Sequence, residues 1–265
     1  PGSPGVPRAV TRDTITAGFN DLKGTERLIR RHGRGLACVI VEPVMANIGV
    51  IPPAVGFLPA LYQWTRDCGA LLIFDEVKTG FRIALGGAQE VYSVTPDLAA
   101  YAKSLGNGYP IAVVAGKRNI MEMVLPGKVV HSGTFSGNPV SLTAANATLD
   151  ELRKKKVYRH LNQYGKELMK GIQETFETHH IPAIVQRFPS MFHFLFTEKE
   201  HITTYRDLQS CDFTLFAKLH YELLRNGVMI DEDNEEPMFT CAAHHRTDLH
   251  ETLRAFEAAT KSVKK

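Results

Sequence analysis

The chain has 265 residues, 44% hydrophobic and 22% charged, the balance of an ordinary globular protein rather than a disordered or fibrous one. Its 31 basic and 28 acidic residues leave a net charge of +3, too small to steer it toward nucleic acid or a membrane surface, and no run of about 18 apolar residues predicts a transmembrane helix. Four widely spaced cysteines form no C-x-x-C pair; Cys38, Cys68 and Cys241 lie in apolar stretches and Cys211 in a polar one, which favours free thiols in a reducing compartment such as the cytoplasm over a disulfide framework or a zinc site.

Residues 1–20 read as loop. Pro1-Gly2-Ser3-Pro4-Gly5-Val6-Pro7 has no initiating methionine and no signal-peptide character, so the chain is expected to be a fragment or a processed product. Asp21 to Arg34 is basic and helix-compatible. Leu36 to Pro43 is a short β-branched run that predicts a buried strand, and Pro43 cannot extend a central ladder. Gly56 to Cys68 has helical spacing, with Gly69 as its C-terminal glycine. Ala70–Phe74 predicts a second buried strand, Pro96-Asp97-Leu98 a third short element, and Ile111–Gly116 a fourth. Apolar runs separated by helices imply an α/β fold with a sheet covered on both faces. After Pro139 the pattern changes: helices over Val140–Lys156, Val157–Thr178, Phe213–Asn226 and Asp248–Ser262, and strands over Ala183–Val185, Met191–Phe196, Val228–Ile230 and Met238–Ala242. The change places a domain boundary near residue 145, dividing 1–145 from 146–265.

Four segments could carry chemistry. Asp75 closes an apolar run, and a carboxylate at the carboxyl end of a strand can pair with a protonated ring nitrogen or simply cap a neighbouring loop. Lys103 precedes Gly106-Asn107-Gly108, where tight turns can present an amine, although most lysines in loops are solvated. Together they suggest a lysine Schiff base with an aspartate partner for a pyridinium, which is how proteins hold pyridoxal phosphate. His131 to Pro139 offers small residues and hydroxyls before a helix, either a phosphate contact or an ordinary N-cap. Glu42-Pro43-Val44-Met45-Ala46-Asn47 could face the same ligand, but an ordinary strand-exit turn is the simpler reading. Neither G-x-G-x-x-G opening a helix nor a P-loop is present, which argues against a nicotinamide dinucleotide enzyme. His179-His180 and His244-His245 are adjacent pairs without metal-ligand spacing.

Read together, these segments resemble the class-III aminotransferases of fold type I, and within them the glutamate-1-semialdehyde 2,1-aminomutases. The residues that carry the likeness are Val41-Glu42-Pro43-Val44 with Asn47, Leu72 to Arg82, Leu85-Gly86-Gly87-Ala88-Gln89-Glu90, Thr95-Pro96-Asp97-Leu98, Lys103 with Gly106 to Pro110, and Gly133 to Pro139. The resemblance implies a three-layer large domain, present in part over residues 1–145, followed by a smaller α+β domain over 146–265. It makes Lys103 the Schiff-base lysine, Asp75 the partner of the pyridine nitrogen, Asn47 a donor to the ring's phenolic oxygen and Val77 a contact on the ring face. It makes Thr134 the hydroxyl that reaches the phosphate of the other subunit's cofactor, hence a homodimer with shared active sites. Glu236 falls where aminomutases carry a glutamate near the substrate and the lysine. Ala102 departs from the family's usual glycine before the lysine, and Gly106-Asn107-Gly108 from its triple glycine. The family's N-terminal segment, with its phosphate-binding turn and stacking aromatic residue, is not found in this chain. The implied activity is intramolecular exchange of an amino group; the alternatives are an intermolecular aminotransferase for β- or aryl-amino acids and an inactive fragment that keeps only fold and dimer surface.

Overall fold

The computed structural model describes residues 3–124 and 128–264. After one turn of helix, α1 (Arg8–Thr11), where the sequence predicts only loop, comes α2 (Leu22–His32). Asp21 accepts from the Gly24 N–H and so caps the start of α2, while Arg30, Arg31 and His32 sit at its negative end. Strand β1 (Cys38–Val41) leads through a loop to α3 (Phe57–Cys68). Gly69 ends α3 in the left-handed region at φ 75°, the cap that its sequence position predicts.

Strand β2 (Leu71–Asp75) lies parallel to β1, with Cys38 opposite Leu71. A turn and the short helix α4 (Gly87–Tyr92) return the chain to β3 (Leu98–Tyr101), parallel to β2 with Asp75 opposite Ala100. Strand β4 (Val113–Gly116) closes the sheet antiparallel to β3, giving the order β1-β2-β3-β4, and α5 (Arg118–Met121) follows. Phe57, Leu58 and Leu61 of α3 pack on Leu72 and Phe74, both fully buried. The expected cover on both faces is not met: in the central strands β2 and β3 one face is buried, at Leu72, Phe74 and Ala99, and the other only partly, and the margins are more open still. Ile40 in β1 is 66% exposed, and all four residues of the edge strand β4 are exposed, so an apolar run there does not mean burial.

The rest of the described chain forms a second core. Asn138 caps α6 (Pro139–Leu152), whose first position is the proline that suits it. Helix α7 (Lys155–Thr178) covers the hairpin β5 (Ala183–Phe188) and β6 (Met191–Phe196); then come α8 (Tyr205–Leu208), α9 (Phe213–Arg225), β7 (Met238–Phe239) and α10 (Arg246–Val263). All six residues of β6 are buried; around it Phe176 meets Phe196 and Phe194 meets Phe256 edge to face, and Phe216 packs against Phe194 at a tilt.

Two expected strands change. Val228–Ile230 is irregular: Val228 and Ile230 pack against the phenylalanine-rich core, but no strand lies alongside to accept a ladder. The strand expected over Met238–Ala242 shortens to two residues, because Thr240 turns its hydroxyl to Pro189 O at 3.0 Å. The cysteines are free, yet Cys211, from a polar stretch, is buried beside Leu195, Ile202 and Leu208, whereas Cys241 is exposed.

Candidate active site

The sheet brings Asp75 and Lys103 to the same edge. Asp75 is the last residue of β2, and its Oδ1 accepts the Val77 N–H at 3.0 Å. The chain then coils through residues 76–80, where the Gly80 N–H reaches Glu76 O at 2.9 Å. Lys103 follows the neighbouring parallel strand β3 by two residues and begins a 3-10 turn, Lys103–Leu105. Ser104 Oγ donates to Gly80 O at 2.6 Å and so pins the lysine turn to the aspartate turn. Lys103 has φ 44°, a left-handed conformation that costs a non-glycine residue about 1–2 kcal/mol and is held where the surroundings over-determine it. Its ammonium is exposed and has no hydrogen bond or ion pair among the described residues.

Glu76, adjacent to Asp75, does something different. It is fully buried and accepts from Thr79 Oγ1 at 2.9 Å, the Ala88 N–H at 2.6 Å, the Gln89 N–H at 3.3 Å and Gln89 Nε2 at 2.9 Å. A carboxylate away from water needs such donors. Gly87 adopts φ 65°, and a Cβ there would overlap Glu76 Oε2, so glycine at 87 is required by the close approach of the loop to the carboxylate, while a Cβ at Gly86 would meet the Glu90 side chain instead. Gln89 also donates to the Tyr101 hydroxyl at 2.5 Å; burial, with the nearby Glu76 carboxylate, raises the Tyr101 pKa. The Leu85–Glu90 motif is thus folded around Glu76, and this holds the start of the Asp75 turn. Sequence reasoning did not single out Glu76; the signal was the glycine pair eleven residues downstream.

Asn47 leaves β1 on a loop organised by Glu42. The Glu42 carboxylate accepts from Asn47 Nδ2 at 2.8 Å, from the Ala46 N–H at 3.0 Å and from the Asn47 N–H at 3.3 Å. Asn47 is exposed, with its amide oriented by that carboxylate. Val77 is partly buried between Asp75 and the turn. Thr134 lies on an exposed loop and makes no hydrogen bond to these residues; Asn138, four residues on, accepts from the Val140 and Ser141 N–H groups as the N-cap alternative has it. Glu236 is brought to the turn from far along the chain, where both its oxygens accept from Lys78 Nζ. Further grips come from the same direction: Arg82 donates to Thr240 O at 2.9 Å, Ser190 Oγ donates to Arg82 O at 2.9 Å, and the Tyr158 hydroxyl donates to Phe81 O at 2.8 Å. Burial lowers the Arg82 pKa and pushes Tyr158 up to about 12.

These residues suit a pyridine-ring aldehyde. Lys103 offers an amine free of protein partners, Asp75 keeps an oxygen without one among the described residues, and Asn47 offers an amide held from behind. This mixed α/β fold is that of the pyridoxal-phosphate-dependent transaminases. The chain matches an omega-transaminase from Sphaerobacter thermophilus with a TM-score of 0.92 at 30% identity, over 100% of this chain and 61% of that one. It also matches a glutamate-1-semialdehyde-aminomutase from Pseudomonas aeruginosa with a TM-score of 0.85 at 27% identity, covering 98% and 60%, a protein also seen in complex with PMP. The chain belongs to the class-III aminotransferase family, whose model, Aminotransferase class-III, matches residues 1–259. It is 41% identical over 264 residues to a glutamate-1-semialdehyde 2,1-aminomutase of Thermomicrobium roseum, covering 99% of this chain and 61% of that protein. The chain therefore spans about three fifths of the length of the curated relatives it matches.

Proposed function

We propose that the complete protein binds pyridoxal phosphate and moves an amino group between neighbouring carbons of a small amino aldehyde, in the manner of glutamate-1-semialdehyde 2,1-aminomutase. The observation that carries the reading is the amine of Lys103, without a protein partner among the described residues and pinned through Ser104 and Gly80 to the turn that follows Asp75. When bound, the cofactor supplies an electron-withdrawing ring that stabilises negative charge on the substrate carbon. Asp75 keeps a proton on the ring nitrogen through its uncommitted oxygen. Lys103 would hold the cofactor through its amine, and its Nζ would carry a proton to and from the substrate carbon. Asn47 donates to the phenolic oxygen, Val77 packs on the ring face, and Glu236 stands toward the substrate. In this reading residues 1–145 are part of the cofactor-binding domain and 146–265 a smaller domain. Thr134 serves the phosphate of the partner subunit's cofactor, in a cytoplasmic homodimer.

A second reading, intermolecular transfer from β- or aryl-amino acids, is supported by the TM-score of 0.92 with the omega-transaminase. The complete protein incubated with glutamate-1-semialdehyde should yield 5-aminolevulinate, and Lys103→Ala should abolish both the product and the visible band of bound cofactor. No product, with ready transamination of β-amino acids, favours the second reading. No visible band in the unaltered complete protein leaves only a non-catalytic role.

A further inference from the structure

The deepest cation beside the site is one that no motif explains. Lys78 follows Asp75 by three residues in the turn 76–80, and its side chain is 2% exposed. Its Nζ donates to Glu236 Oε1 at 2.7 Å and Oε2 at 2.6 Å. An ammonium so far from water persists only in a well-made pair, because its lost hydration is otherwise uncompensated. The partner lies 158 residues along the chain and is itself held in place. His193 Nε2 donates to Asn234 O at 2.7 Å, the Glu235 N–H donates to Asp233 Oδ1 at 2.9 Å, and Glu235 O accepts the Gly49 N–H at 2.9 Å. Glu236 keeps 31% of its side chain exposed.

We propose that Lys78 is an electrostatic positioning residue: by pairing with Glu236 it cancels the carboxylate that the C-terminal part brings to the Asp75 turn, leaving Asp75 as the anion that sets the proton affinity of the ring. The inference rests on the function proposed above. A second unpaired carboxylate close to Asp75 would add negative potential at the ring and at the Lys103 nitrogen, and both would hold protons more tightly. The other charged groups around the pair are already committed or have the wrong place. Glu76 is spent on the N–H groups of α4 and its own turn; Lys103 lies on the next turn; Asp233 and Glu235 belong to the loop that presents Glu236; and His193, on β6, is neutral above about pH 4 because burial lowers its pKa.

The complete protein loaded with pyridoxal phosphate allows a test of sign. Its visible absorption band is titrated with pH in the unaltered protein, Lys78→Met, Glu236→Gln and the double variant. Lys78→Met leaves Glu236 alone and is expected to raise the midpoint by about 0.5–1 pH unit; Glu236→Gln leaves Lys78 alone and is expected to lower it by a similar amount. The double variant should return to within roughly 0.2 unit of the unaltered protein, because it removes both charges and the two opposite shifts cancel. Glu236 is partly exposed, so Glu236→Gln decides the sign even where Lys78→Met does not fold. A pair that merely staples the fold lowers the melting temperature of both single variants and leaves the midpoints in place. Unmoved midpoints, or midpoints that move the same way in both single variants, overturn this inference and leave the cofactor reading intact. No visible band in the unaltered protein overturns both.

Discussion

Replacing Gly87 by alanine should cost this protein a large part of its stability through a residue that touches no substrate. Alanine at φ 65° carries a backbone penalty of about 1–2 kcal/mol. The added methyl also overlaps Glu76 Oε2, so the carboxylate must swing from the Ala88 N–H at 2.6 Å and Thr79 Oγ1 at 2.9 Å. A hydrogen bond to a charged group contributes about 1.5–3 kcal/mol, and here the anion is left buried without it. The expected total is about 3–5 kcal/mol, against a whole-protein stability of the order of 5–15 kcal/mol. Gly227→Ala is the control: Gly227 has φ 84° with nothing within 4 Å of its would-be Cβ, so it isolates the backbone penalty. Urea unfolding followed by far-UV circular dichroism, with an unchanged slope, gives both numbers. A Gly87→Ala cost within about 0.5 kcal/mol of the Gly227→Ala cost would refute the claim that the loop is built on Glu76.

At the opposite ends of β2 and β3, Asp97 accepts from the Leu72 N–H at 2.8 Å, Arg66 at 3.1 Å and Lys117 at 2.7 Å. Burial alone would raise its carboxyl pKa, but Lys117 and the Leu72 N–H outweigh this and hold it below its ordinary value. Its stabilisation is therefore full above about pH 4 and fades as pH falls through the folded value. Asp97→Asn should cost about 2–4 kcal/mol at pH 7 and flatten the acid limb of a stability–pH curve; an unchanged limb counts against the assignment. His193 acts with the same sign over a higher pH range. Its pKa is about 4 when folded against 6.5 for the free group, so the unfolded chain takes the proton first and stability falls from about pH 6.5 toward 4. His193→Gln should remove up to about 1.4 kcal/mol per pH unit of that slope, read from urea midpoints at pH 7 and pH 5. Glu42→Ala removes every anchor of Asn47 and should weaken pyridoxal phosphate binding by about tenfold in a fluorescence titration of the complete protein, at a stability cost under about 2 kcal/mol. A dissociation constant within about twofold of the unaltered protein would contradict the role given to Asn47.

Local signals read well where one residue decides a local shape. Gly69 marks the end of α3 because only a left-handed cap lets the chain turn back into β2, and the continuous apolar run from Ala70 to Phe74 marks a strand, in which Leu72 and Phe74 are buried. The signals failed where a distant partner decides. Val228–Ile230 has strand composition, but a ladder needs a neighbour, and the chain supplies only a hydrophobic core to lie against. The apolar run of β4 looked buried because composition cannot tell an edge from a centre. At the site, the order of Asn47, Asp75 and Lys103 along the chain was legible, whereas what holds them was not. Glu42 passes for a strand-exit residue until Asn47 folds back on it, and Glu76 and Lys78 for motif letters until α4 and Glu236 arrive.

Trp64 is the single tryptophan of the chain, and it lies on α3 among the side chains that cover β1 and β2. The other core is filled by phenylalanines with Tyr164, none of which emits when the indole alone is excited. Intrinsic fluorescence of this protein is therefore a reporter of one core alone, the one whose strand ends carry Asp75 and Asn47. Comparing it with far-UV circular dichroism during unfolding distinguishes loss of the four-stranded sheet from loss of the phenylalanine-rich half, without a label and without an added probe.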